Sequence, residues 1–139
     1  MESNFIIKGE AIPKGRPRVN SKGWLYTPKR TKDYEELVAS SYEGDKLTGA
    51  LEVNIEVYMA IPKSETKANR LKMASGDIRP TKANGDLDNI VKSILDGLNG
   101  IAYEDDRQVV EIEASKYYTD KEPYTYVELC EIKEDRDND

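Results

Sequence analysis

Two hydrophobic rhythms run along this chain. In LEVNIEVYMAI, apolar residues take every second position: Leu51, Val53, Ile55, Val57, Met59 and Ile61, with Glu52, Asn54 and Glu56 between them. That alternation predicts a strand with one buried face, ended by Pro62. From Leu87 to Leu98 the spacing changes: Leu87, Ile90, Val91, Ile94, Leu95 and Leu98 recur three and four apart. This is the stripe of a helix laid against a core, and Gly97 and Gly100 punctuate its end.

The remaining segments are weaker but legible. NFIIKGEAI is β-rich and predicts a first strand ending at Pro13; PKGRPRVNSKGWLYTP reads as a loop with short extended pieces. A helix is expected in TPKRTKDYEELVASSY, capped at Thr27-Pro28 or Thr31, with Tyr34, Leu37, Val38 and Ser41 or Tyr42 on one face. Gly44 and Gly49 bracket its end. SETKANRLKMASG predicts a basic helix capped by Ser64, and DIRPTKANG a loop. QVVEIEASKYY alternates through Val110, Ile112 and Ala114; with YTYVELCEIK and the TDKEP turn it predicts an antiparallel hairpin. The order implies an α+β fold, a mixed or antiparallel sheet packed with a few helices. No repeat or linker interrupts it. We expect one domain over residues 1–134 and a disordered acidic tail over 135–139.

Composition narrows the chemistry. Apolar residues make up 37% and charged residues 35%, polar for a globular chain but not disordered. No apolar run approaches the roughly 18 residues that span a bilayer, so no membrane partner is expected. The start, MESNFIIKGE, lacks the basic and long apolar regions of a secretory signal. Cys130 is the single cysteine, which excludes an internal disulfide and a cysteine zinc site and points to the cytoplasm. There is no histidine. Histidine-paired nucleophiles and histidine-liganded zinc therefore drop out, leaving carboxylates, lysines, tyrosines and hard, oxygen-liganded metals.

A net charge of −6 argues against nucleic acid until it is resolved along the chain. Residues 1–32 hold eight basic against two acidic residues, and residues 63–82 six against two. The last 37 residues hold five against thirteen. A local basic face is what phosphate contacts need, although either segment alone also reads as solvated surface. Lys14, Arg16, Arg18, Arg30, Lys67, Arg70 and Lys82 are the candidate DNA contacts. Trp24 and Tyr26 either stack on exposed bases or, the reading preferred here, anchor their loop on the core.

The chemical question sits in GDLDNIVKSILDGLNGIAYEDD, residues 85–106. Asp86 and Asp88 open the helix, where negative charge suits the unsatisfied N–H groups. Asp105 and Asp106 follow its end, where that explanation fails. Asp88, Lys92 and Asp96 are spaced four apart along the edge of the apolar stripe. An EF-hand loop does not fit, because its fifth and sixth positions would fall on Ile90 and Val91. If the next strand returns beside the helix, Asp86, Asp88 and one or both later aspartates gather around a cation, with Lys92 a turn away. The plainer alternative is a dipole pair and a polar turn.

GDLDNIVKSILDGLNGIAYEDDRQV closely resembles the signature of RusA-type Holliday junction resolvases, a D-x-D-N-x-x-K helix followed by D-D-x-Q. PKGRPR and YTPKRTKDYE resemble the opening of that family, so the likeness runs from about Ile12 to the last strand. The resemblance implies a homodimeric endonuclease of α+β fold, dependent on Mg²⁺ with Mn²⁺ as a substitute. It would resolve four-way DNA junctions by paired symmetric nicks in recombination and repair. It also implies a cytoplasmic, nucleoid-associated protein of bacterial or phage origin. By motif position the metal ligands fall on Asp86, Asp88 and Asp106, with Asp105 a further candidate, and the essential lysine on Lys92. In one place the chain departs: Asn84-Gly85 stands where many members carry Lys-Pro.

A metal held there would activate a water and polarise the phosphate, and Lys92 would stabilise charge on the phosphoryl or leaving oxygens. A C2 dimer would offer two equivalent sites for two nicks. Two rivals remain. One is a Mg²⁺ nuclease of the same fold without junction preference; the other is a non-enzymatic acidic DNA mimic or inhibitor.

Overall fold

The computed structural model describes residues 1–82 and 85–135. Its elements are β1 (Glu2–Lys8), β2 (Arg18–Val19), β3 (Leu25–Tyr26), α1 (Lys29–Ser41), β4 (Leu51–Ala60), α2 (Lys67–Ala74), α3 (Leu87–Leu98), β5 (Val109–Thr119) and β6 (Tyr124–Glu131). Four strands form a mixed sheet in the order β1-β6-β4-β5, while β2 and β3 pair as a separate ribbon. The α+β expectation holds. Of the tail, Asp135 is described and exposed, and residues 136–139 lie outside the described residues.

β4 takes the centre because its alternating face has the most to bury. Leu51, Val53, Ile55, Val57 and Met59 are each 4% exposed or less. It runs parallel to β5 and antiparallel to β6, which corrects the expected hairpin: β5 and β6 are adjacent in sequence but have β4 between them. Residues 120–123 need only cross two strand spacings, about 9.5 Å, well within the reach of so short a link. Alternation and turn chemistry are the same for both arrangements, so sequence did not separate them.

A register shift between Leu51 and Glu52 adds an extra residue to β5. Val110 falls in that shift and is 61% exposed. Ile112 shares the covered side with Ala114 but remains 51% exposed, because β5 is an edge strand. The opposite side of the sheet is polar: Glu52, Asn54 and Glu56 of β4 stand beside Glu111 and Glu113 of β5 and Glu128 of β6. Tyr58 stacks on Tyr117 and Tyr124, and the Arg79 guanidinium lies 4.0 Å above the Tyr117 ring.

α1 and α3 pack together over the apolar side. Ile90, Ile94 and Leu98 of α3 are fully buried, as is Val38 of α1, with Tyr34 nearly so. Leu37, expected on that face, is 39% exposed instead. Pro28 occupies the N-cap position of α1 and no side chain caps it; Thr31 is buried and its Oγ1 accepts the Gly15 N–H. The cap of α2 lies two residues beyond the expected one, with Thr66 Oγ1 accepting the Asn69 N–H in place of Ser64.

Gly97 does not end α3 but lies within it, at the seam with α1. A Cβ there would stand 2.9 Å from both the Glu35 carbonyl oxygen and the Val38 Cβ. Gly97→Ala is therefore expected to lower unfolding stability by about 1–3 kcal/mol despite the better helix propensity of alanine. Denaturant unfolding checks this; an unchanged or higher midpoint would mean the seam is loose.

Candidate active site

α3 is held in place by the loop that precedes the β2–β3 ribbon. The Lys14 N–H donates to the Asn89 carbonyl (2.8 Å), and Ser93 Oγ donates to the Ile12 carbonyl (2.6 Å). The Lys14 ammonium bridges Glu35 of α1 (2.5 Å) and Asp96 of α3 (3.0 Å). Burial works against the charge on Lys14, but the bonds to Glu35 and Asp96 outweigh it and its pKa is raised. Lys14, a candidate DNA contact, is thus committed to the protein.

Asp88, Lys92 and Asp96 recur four apart, so α3 presents them on one side. All three line a cavity of about 520 Å³ with Asp106. Its floor is apolar, built from Val91 and Leu95 of α3 and Ile112 and Ala114 of β5. The later acidic pair does return to the helix, as the sequence suggested it could. Only its second member reaches this cavity.

The reason lies in the turn 105–108. Asp105 caps a short 3₁₀ segment, Asp106–Gln108, by accepting the Arg107 N–H, and the Gln108 side chain accepts the N–H groups of Glu104 and Asp105. This is a capping box. Gln108 also donates to the Gly49 carbonyl (3.1 Å), fixing the turn at the start of β4. Bonds from the Arg107 backbone and side chain hold the Asp105 carboxyl below its usual range, and it lines a separate shallow cavity with Arg107 and Gln108. Asp106 is displaced the other way. Desolvation, then its bond to Asp105 and the charges of Asp105 and Asp96, raise its pKa against the opposing pull of Lys92.

Asp86 sits at the N-cap position of α3 without a side-chain cap bond. It lines a second cavity, of about 650 Å³, which also takes in Arg16, Arg18 and Arg30. The first turn of α3 therefore divides an acidic cavity from one lined by arginines. Gly85, just ahead of it, adopts φ +90° with its Cα face against Pro13, where a Cβ would lie 2.6 Å from the Pro13 Cγ. Proline, fixed near −65°, could not take that angle at this position. Asn84 itself lies outside the described residues.

Other candidates lie elsewhere. Lys67 and Arg70 are on α2, where Arg70 donates to the Pro62 carbonyl, and Lys82 is exposed in the following loop. Trp24 is 70% and Tyr26 46% exposed, so neither anchors its loop on the core. The ribbon is closed from within, by Asn20 Oδ1 accepting the N–H groups of Lys22 and Trp24. Asp96 and the Gln108 cap are the residues that sequence reasoning left without a role. The four-residue spacing from Asp88 was the available signal for the first, and the Asp105-x-x-Gln108 box for the second.

Among the described residues no three acidic or sulfur ligands stand together as a metal cluster. The donors that share the cavity nonetheless suit a hard cation. Mg²⁺ characteristically takes one or two carboxylates and completes its shell with water and substrate phosphate. Asp88 and Asp106 supply two, and the raised Asp106 pKa marks a place where added positive charge relieves repulsion.

A family model for the endodeoxyribonuclease RusA matches residues 8–130. The chain is also 36% identical over 137 residues to the "Uncharacterized protein YqaN" of Bacillus subtilis (strain 168), covering 92% of this chain and 95% of that one.

Two outcomes follow from the turn. Asp105→Ala should lower the unfolding temperature, with Asp105→Asn, which keeps an accepting oxygen, restoring most of it; equal losses would deny the cap. Folding raises the Asp106 pKa, so the proton favours the folded state and ionised Asp106 opposes it. In EDTA at pH 7, Asp106→Asn should therefore melt above the wild type. The gap should close as pH falls toward the ordinary aspartate value of about 4. A variant that melts below the wild type at pH 7 would overturn the assignment.

Proposed function

The chain belongs to the RusA endodeoxyribonuclease family, and from that premise we propose that it resolves four-way DNA junctions by paired nicks, as a Mg²⁺-dependent homodimer. The observation that carries this reading is the shared cavity of Asp88, Lys92 and Asp106 beside an arginine-lined one. Asp88 and Asp106 would hold the cation, whereas Asp86, the third ligand that the motif implied, lines the adjoining cavity instead. When bound, Mg²⁺ supplies an activated water and polarises the phosphate. Mn²⁺ is expected to substitute.

The chain's own groups do the rest. Lys92 lies one helical turn from Asp88 and meets the charge that builds on phosphoryl and leaving oxygens. Asp96 pairs with Lys14 and so keeps the basic loop fixed against α3. Arginines on one side of the molecule and glutamates on the far face of the sheet admit DNA from one direction. Trp24 and Tyr26, exposed on the β2–β3 ribbon, offer surfaces for bases unstacked at a branch point. A two-fold junction matched to a C2 dimer gives two sites for two nicks. This reading places the protein in the cytoplasm with the nucleoid.

The test is cleavage of a labelled four-way junction beside a matched duplex, in Mg²⁺ and in EDTA, with wild type and Asp88→Asn. Symmetric nicks in the junction alone are expected, abolished by EDTA and reduced at least about a hundredfold in the variant. Equal cutting of both substrates would leave a general Mg²⁺ nuclease. Junction binding without cutting would remove the enzyme reading.

A further inference from the structure

The described arginines divide into two sets. Arg70 donates to the Pro62 carbonyl, Arg79 to the Lys116 carbonyl while lying over Tyr117, and Arg107 to Asp105. Each is satisfied by the protein. Arg16, Arg18 and Arg30 have no hydrogen bond or ion pair among the described residues, and these are the three that line one cavity. The β2–β3 ribbon and its approach bring Arg16 and Arg18, and the first turn of α1 brings Arg30. Three arginines then line one space with a single carboxylate, Asp86.

Three like charges around one carboxylate leave a net positive space, and arginine presents a planar fork suited to phosphate oxygens. The backbone beneath them is fixed. The Gly15 N–H donates to Thr31 Oγ1 of α1 (3.0 Å), and the Lys14 N–H to the Asn89 carbonyl of α3. A Cβ at Gly15 would lie 2.9 Å from Thr31 Oγ1, so the loop and α1 are in close contact here. This cavity is therefore tied to the helix that carries Asp88 and Lys92.

We propose that the arginine cavity is a pocket for one backbone phosphate other than the one being cut. The assignment rests on the nuclease reading above and adds a ruler to it. Because α3 carries the cutting carboxylates on one side and holds the arginine loop on the other, the gripped phosphate stands at a fixed offset from the nick. The three arginines act as one positioning unit, whereas Lys67, Arg70 and Lys82 lie outside it.

Methylphosphonate scanning tests this. Single phosphates of the junction are replaced, one position at a time on each strand, with a neutral linkage. Binding is measured in EDTA with Asp88→Asn, alone and combined with Arg16→Ala, Arg30→Ala or Arg30→Lys. One position, at a constant offset from the nick made by the wild type, should weaken binding roughly tenfold. The same replacement should cost nothing further once Arg16 or Arg30 is alanine, and an intermediate amount with Arg30→Lys. On unmodified DNA, Arg30→Ala should lower the salt slope of binding by about 1. Equal losses at every position, or a sensitive position that persists without the arginines, overturn the pocket. An arginine-dependent position in a protein that cuts nothing keeps the pocket and removes the enzyme reading; cutting without such a position does the reverse. Absence of DNA binding overturns both.

Discussion

Lys14 is the joint on which the site depends. Its ammonium lies between Glu35 on α1 and Asp96 on α3, while its backbone N–H holds the Asn89 carbonyl. The three side chains are only 19–27% exposed, so their charges are screened less than those of a surface pair. One residue thus fixes the angle between two helices and seats the basic loop on the acidic helix. Removing it would leave two carboxylates facing each other at the seam where Gly97 already brings the helices to close contact.

From that joint follows an arrangement of opposite charge separated by a single helical turn. Asp88 and Asp106 converge on an apolar floor, and the arginines converge beyond Asp86. Desolvation, with Asp105 and Asp96 close by, raises the Asp106 pKa, and a cation bound beside it, as proposed above, would answer that charge. The far face of the sheet repeats the repulsion without such an outlet. There Glu52 and its bond and charge raise the Glu111 carboxyl above its ordinary range. On the reading proposed above, that face would turn polyanions away and leave the loop side as the approach.

Much of this was legible in the sequence because local physics decided it. The alternation of Leu51 to Met59 and the stripe of Ile90 to Leu98 have no competing solution at those lengths, and both appear where expected. The acids of α3 and the later pair were visible as a motif, with Lys92 at its offset. Leu37 and Ser64 were misassigned for a common reason. Each was plausible on its own element, and a neighbouring residue, Tyr34 with Val38 or Thr66, met the packing or capping need better.

The sequence by itself determined the elements, the absence of histidine chemistry and the identity of the acidic and basic residues, because these depend on side chains a few positions apart. Tertiary structure alone decided which of them meet. It placed β4 between β5 and β6, which no turn signal encodes, because strand order is set by which face has most to bury. It turned Asp105 into a cap and Asp106 toward α3, through a bond from Gln108 to a carbonyl 59 residues away in sequence. It also set Asp86 among the arginines, beside Asp88 in sequence but across a helical turn in space. Such convergences depend on long-range packing, and local spacing has no means of expressing them.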